Sequence, residues 1–369
     1  MKHIKNINIK NHIYFEDVEL FFEKYNFLIG KNFRGKSLFL KSLQDNSLLD
    51  IPASPWNGDF GNEKNIFLIN GNKRGEFYQK EKTFGYVCFD MIDQDGKNSI
   101  NGFHPKDKIS LTNSDLLKKI GNNDYALNEL SKFHFLREKD ILDNCKPHKE
   151  ENNLGKPNSS GQNMSFLLRM FLLKFKNERD VFILDEPEIH IHPTAQIHYI
   201  DAVTEGIYNQ FIISTHSPFI LKEYLNRSDS KIFVFRKNHS EKVEIIDLKK
   251  DAFPNWAKSY GAIYWYALDY PTEEFHNELY GKIQEFTENW NEKSIENFFS
   301  EEQRKEKSKS WIKIVKGKKE IPYDVTLSTY IRNSIHHPEN ELNDRFSNLE
   351  LNESISSMIE IMNSLQQRV

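Results

Sequence analysis

Gly30-Lys31-Asn32-Phe33-Arg34-Gly35-Lys36-Ser37 fits the pattern G-x-x-x-x-G-K-[ST]. It follows the apolar run Tyr25 to Ile29 and precedes Leu38-Phe39-Leu40, so the spacing predicts a strand, a tight turn and a helix. The chemistry needs that order. Glycines let successive backbone N–H groups turn toward phosphate oxygens, and the helix N-terminus adds a partial positive charge. Gly30, Asn32 and Gly35 then shape the loop, Lys36 reaches the β- and γ-phosphates of ATP, and the Ser37 hydroxyl ligates Mg²⁺.

A chance Gly-rich turn can carry the same letters, so the other parts of a phosphate site must be found elsewhere in the chain. Val181-Phe182-Ile183-Leu184-Asp185-Glu186 is a four-residue apolar run ending in two carboxylates. A buried strand of this kind delivers both acids to the C-terminal edge of a parallel sheet, where phosphate sites lie. Asp185 is expected to hold Mg²⁺ through water, and Glu186 to act as general base on the attacking water. Alone, the pair could be a plain strand terminus; beside the phosphate loop it gains its meaning.

Two further stretches refine the expectation. Ser159-Ser160-Gly161-Gln162 follows Asn158 and stands just ahead of the apolar stretch Met164 to Phe175, making a second anion-binding helix start. One chain does not need two. The economical explanation is that this surface meets the γ-phosphate of ATP held by another copy, giving a two-fold homodimer with two composite sites. His216, in Phe211-Ile212-Ile213-Ser214-Thr215-His216-Ser217-Pro218, follows the next buried strand and can hydrogen-bond the γ-phosphate. Taken singly, a Ser-Gly turn and a lone His are more often structural.

Phosphate loop, Ser-Ser-Gly-Gln, Asp-Glu strand and His216 occur in the order found in ABC/SMC-like ATPases, which this chain resembles over about residues 1–247. Asp185-Glu186-Pro187-Glu188-Ile189-His190-Ile191-His192-Pro193 and Ser214-Thr215-His216-Ser217-Pro218 resemble the branch of the overcoming-lysogenization-defect proteins. That branch also holds the ATPase subunits of the Septu (PtuA) and PARIS (AriA) anti-phage systems. The resemblance implies an α/β fold: an ABC-type P-loop NTPase core with a mixed sheet, a lobe inserted between phosphate loop and signature, and a helical C-terminal domain. It further implies an ATPase that closes as a homodimer or higher oligomer and controls a separate effector, with His190 and His192 at the dimer interface. The types of Glu188, His190 and His192 would also suit a metal. A metal-contacting Gln should precede the signature, and Gln79 and Gln94 both qualify. Phe33 stands where transporters carry glycine, and Asn158 and Ser160 depart from their Leu and Gly, which points away from transport.

The rest of the chain sets limits. With 369 residues and 38% apolar content it can bury a large domain and a smaller one. The expected division is 1–247, with 45–158 as the lobe and 159–247 carrying signature, acids and His216, then 248–369. Within the lobe, Asn65 to Ile69 and Phe84 to Phe89 read as strands and Ser114 to Leu142 as helical. A net charge of −4 gives no reason to expect a nucleic-acid coat, so any nucleic-acid contact must be regional. Cys88 and Cys145 make neither a zinc pattern nor a disulfide framework. The sequence shows no signal peptide and no apolar run long enough to span a bilayer, so a cytoplasmic protein that does not enter the membrane is expected.

Beyond residue 250 apolar positions recur at helical spacing: Phe275, Leu279, Ile283 and Phe286; Leu327, Tyr330, Ile331 and Ile335; Ile355, Met358, Ile359, Met362 and Leu365. Arg332-Asn333-Ser334-Ile335-His336-His337-Pro338 closes the middle helix at Pro338. It resembles the R-N-x-x-x-H motif of HEPN ribonucleases, with Arg332, Asn333 and His337 in the matching places. This supplies an alternative function, a self-contained ATP-gated ribonuclease, beside the plain reading of a polar helix end; a DNA-repair clamp is a further alternative. Glu301 to Glu320 holds eight Lys or Arg around Trp311, either a solvated linker or a grip on single-stranded nucleic acid.

Overall fold

In the computed structural model the described residues are 3–44 save 11 and 13, the strands between 56 and 112, isolated positions from 165 to 177, 181–249 save 190 and 239–241, and 253–367 save 255, 258, 316–317 and 320–321. The chain forms two compact units, Met1–Trp256 and Ala257–Val369.

The first unit is an α/β fold on two sheets. A four-stranded sheet runs in the order β2 (Val18–Phe21), β1 (Asn6–Lys10), β5 (Ile66–Asn70), β4 (Trp56–Gly58). The eight-stranded sheet runs β12 (Val243–Asp247), β11 (Ser230–Lys237), β3 (Tyr25–Ile29), β10 (Gln210–Ser214), β9 (Val181–Asp185), β6 (Phe84–Asp90), β7 (Ser99–Phe103), β8 (Lys108–Thr112). From β11 to β6 every neighbour is parallel, and both edges are antiparallel, so the sheet is mixed. The segment read as a lobe therefore supplies strands to both sheets. Its expected helix over 114–142 lies outside the described residues.

Composition explains the central strands. Every residue of β3 and β10 and the first four of β9 are buried, as expected of parallel strands covered on both faces. Phe27, Phe182, Phe211 and Phe233 are fully buried, each contributing about 1.5–3 kcal/mol of hydrophobic stabilisation. Phe15, Phe39 and Phe235 pack edge to face beneath the phosphate loop. Ser165, Leu168, Arg169 and Leu172 are helical and buried, and Arg169 Nη1 donates to the carbonyls of Val203 and Glu205.

The second unit is mainly helical: α5 (Tyr260–Leu268), α6 (Glu273–Thr287), α7 (Glu292–Asn297), α8 (Leu327–His336) and α9 (Asn348–Gln366). Thr272 caps α6, and a Ser347–Glu350 capping box opens α9. The apolar stripes come out shifted at their ends. Phe286 is 43% exposed, and in α9 Ile361 is buried where Ile359 and Leu365 are half-buried. The basic stretch is neither plain linker nor nucleic-acid grip through Trp311. It forms short ribbons, Lys309–Trp311 with Tyr323–Val325 and Ile314–Val315 with Lys318–Lys319, and Trp311 is buried edge-on against Tyr330. A buried indole offers no face to a base. Among the described residues no helix is long and apolar enough to cross a membrane.

Candidate functional site at the carboxyl edge of the sheet

Register decides which side chains meet. Ser214 is the partner of Asp185 on one side and of Leu28 on the other, and the N–H of Thr215 donates to Leu28 O at 3.1 Å. The ends of β3, β10 and β9 are thereby level, and the phosphate loop, the acid pair and the loop of Thr215 to Ser217, the switch loop, leave the sheet along one edge. This is the position at which open parallel sheets bind ligands.

The loop from Gly30 to Gly35 runs between β3 and α1 (Lys36–Gln44). Gly30 has φ +149°, and a Cβ there would lie 2.4 Å from the carbonyl oxygen of Phe235 in β11. Only glycine fits so close to a neighbouring strand. Gly35 has φ +85°, with the Phe15 ring 3.2 Å from where a Cβ would stand. Phe33, at φ +61°, is 98% exposed at the tip. Lys36 is buried, and its Nζ donates to the carbonyls of Gly30 at 2.6 Å and Lys31 at 3.2 Å. Burial lowers the pKa of this ammonium, and the carboxylates of Glu186 and Asp185 oppose that shift. Loop lysine and acid pair therefore share one electrostatic site. Asn32 and Ser37 are exposed.

The acids are held by a residue to which the sequence assigns no role. The Ser214 hydroxyl donates to Asp185 Oδ1, and the N–H of Glu186 donates to both Oγ and O of Ser214 at 3.1 Å. These bonds hold Glu186 at φ +47°, a left-handed conformation uncommon for a residue with a Cβ and concentrated at functional sites. Its carboxylate comes within 3.4 Å of His216 Nε2. The His216 imidazole holds the Glu186 carboxyl below the usual carboxylate range; burial opposes this, and Lys36 adds to the lowering.

Glu188 is the second residue left without its role by the sequence. It is buried, and its Oε1 accepts from Thr215 Oγ1 and the His216 N–H. Burial pushes its carboxyl up, against those two bonds. His192 caps the short helix α2 (Pro193–Gln196), its Nδ1 bonded to Thr194, and α3 (Tyr199–Thr204) follows. Glu188 and His192 are thus committed separately, and no group of three metal-ligating side chains occurs among the described residues. Ser159, Ser160, Gly161, Gln162, Gln79, Gln94 and His190 lie outside the described residues.

In the second unit, Arg332 Nη1 donates to Asn333 Oδ1 at 3.0 Å. The Asn333 side chain is buried, and exposed His337 caps the helix and faces Glu339. Arg332 also lies close enough to His336 to lower that imidazole's pKa, behind burial as the larger cause. The structure thus puts Arg332 beside His336 and Asn333.

Residues 70–221 match the family model described as AAA ATPase domain (AAA_15), which takes in the acid pair and His216 and begins after the phosphate loop. No curated protein matches. Among solved structures, the SMC head domain from Thermotoga maritima is 10% identical with a TM-score of 0.34, over 64% of this chain and 96% of that one. The ATP binding subunit of an ABC transporter is 16% identical with a TM-score of 0.30, over 67% and 89%. With phosphate loop, acid pair and matched segment in one mixed-sheet core, the first unit has the α/β fold of a P-loop ATPase.

Proposed function

We propose that this chain hydrolyses ATP between two copies of itself and uses the nucleotide state to control a separate effector, a nuclease or toxin, in bacterial anti-phage defence. The observation that carries the hydrolytic part is the convergence of Lys36, Asp185, Glu186 and His216 on one sheet edge, with His216 Nε2 3.4 Å from Glu186 Oε1. The defence assignment is supported by the likeness of residues 185–193 and 214–218 to defence ATPases.

In this reading the loop N–H groups and Lys36 hold the phosphates, and Glu186 takes the proton of the attacking water. His216 donates to the γ-phosphate and orients Glu186. The oxygen donors Ser37 and Asp185 suit Mg²⁺, and the close Gly30 turn leaves the backbone as the cradle's wall. Bound there, Mg²⁺ supplies charge neutralisation across the phosphate oxygens. Ser159 to Gln162 of a second copy would complete each site, so closure would report that both are loaded.

The test is turnover. Glu186→Gln should slow ATP hydrolysis about 10²-fold or more, the scale of general-base loss, while ATP still binds. Unchanged turnover would remove Glu186 as base.

A further inference from the structure

Glu188 stands two residues after Glu186 in the turn that follows β9, 8% exposed, facing the switch loop rather than the phosphate loop. Its Oε1 accepts from Thr215 Oγ1 at 2.6 Å and from the backbone N–H of His216 at 2.9 Å. Both donors belong to the segment that sets where the His216 ring lies. Thr215 Oγ1 accepts in turn from Ser217 N–H at 3.0 Å. The Ser217 hydroxyl caps α4 (Pro218–Tyr224) and donates to Gln196 at 2.5 Å. The switch loop is one chain of hydrogen bonds, and Glu188 is its buried end.

A carboxyl group is a costly choice for such a place. Glu188 Oε2 has no hydrogen-bond partner among the described residues, and burying an unmatched polar atom destabilises a fold. An apolar side chain would pack there more cheaply but could not accept from His216. Buried Tyr199 lies close enough to Glu188 for that carboxylate to raise its hydroxyl's pKa, behind burial as the larger cause.

We infer that Glu188 is a positioning residue for ATP turnover: by fixing the Thr215–His216 backbone it keeps the His216 ring against Glu186. This rests on the proposed role of His216 in hydrolysis. Glu188 does not touch the reacting atoms, so its loss should lower kcat and leave ATP binding alone.

The experiment compares kcat and KM for ATP in the full chain carrying Glu188→Met, Glu188→Gln, Thr215→Val or His216→Ala, with thermal melts of each. Met matches Glu in length and accepts no hydrogen bond here, so Glu188→Met should lower kcat about 10²-fold, the scale of a misplaced catalytic group, with KM within about threefold. Glu188→Gln keeps an Oε1 acceptor and should retain most of the turnover. Adding Glu188→Met to His216→Ala should lower kcat little further. If Glu188→Met does not fold, Thr215→Val decides, since it removes one of the two bonds; kcat should fall several-fold with KM unmoved. A folded Glu188→Met at wild-type kcat, or Thr215→Val at wild-type kcat where Met does not fold, overturns the inference. Loss of turnover in Glu188→Gln equal to that in Glu188→Met does the same. His216→Ala at wild-type turnover would sink the proposed role of His216 and this inference together. A slow His216→Ala beside a wild-type Glu188→Met sinks this inference alone.

Discussion

Replacing Gly30 by alanine tests the phosphate loop through a single methyl group. At φ +149° an alanine is strained by about 1–3 kcal/mol before any contact is considered. Its Cβ would then lie 2.4 Å from Phe235 O and 3.3 Å from Phe235 C and Cβ. Those first two atoms are backbone of an internal strand, paired with β3 on one side and β12 on the other, so they cannot swing aside. Overpacking of this kind costs about another 1–3 kcal/mol. The loop must instead lift away from β11, carrying off the Gly30 and Lys31 carbonyls that hold Lys36. Gly206→Ala is the internal control. Its φ of +67° incurs the left-handed penalty, about 1–2 kcal/mol, but nothing lies within 4 Å of the new Cβ. Gly35→Ala should fall between, because the atom it meets is the edge of the Phe15 ring. Urea unfolding should rank Gly30→Ala as most destabilised, by roughly 2–6 kcal/mol, with Gly206→Ala at roughly 1–2 kcal/mol. Calorimetric titration should show ATP affinity reduced at least about tenfold in Gly30→Ala alone of the two. Gly30→Ala with the stability and ATP affinity of Gly206→Ala would refute the reasoning.

Lys36→Met removes a buried ammonium whose pKa is lowered by desolvation, so the nucleotide-free protein should melt no lower than wild type while ATP affinity falls about 10²-fold; a parallel loss of both would mean Lys36 is chiefly structural. His276, on α6 and buried with Nε2 bonded to Ser354 of α9, has its pKa pushed down to about 3 by burial. The unfolded chain takes up that proton near pH 6.5 and the folded chain does not. Stability carried by the neutral ring is therefore complete above pH 6.5 and lost as pH falls toward 3, at about 1.4 kcal/mol per pH unit. His276→Gln should flatten that slope in urea titrations from pH 6 to 4, and an unchanged slope would refute it.

The α/β P-loop core was legible because its signals are local. A Gly-rich turn between strand and helix, and acids at the end of a buried run, each declare themselves within ten residues. What stayed hidden depends on register. Ser214 organises the acid pair only because β10 lies between β3 and β9, level with Asp185, and no spacing along the chain announces that. Glu188 resembles a surface acid until the fold turns it toward Thr215. Strands β7 and β8 were missed because Ser99–Phe103 and Lys108–Thr112 are short and each carries only two large apolar residues, although Lys108–Thr112 does alternate. In α8 the apolar pattern named Leu327 and Ile335, yet Ser328, Thr329, Asn333 and Ser334 are the more buried. Ser328 meets Ser354, and Thr329 meets Tyr280. Polar residues that find partners across helices are invisible to a hydrophobic stripe.

The central claim is that two copies close on ATP, each supplying half of every pocket. Light scattering on the Glu186→Gln protein with Mg-ATP measures it directly. The mass should double on adding ATP and return to one chain when Lys36→Met is combined with it; a mass that does not change with ATP would contradict the account.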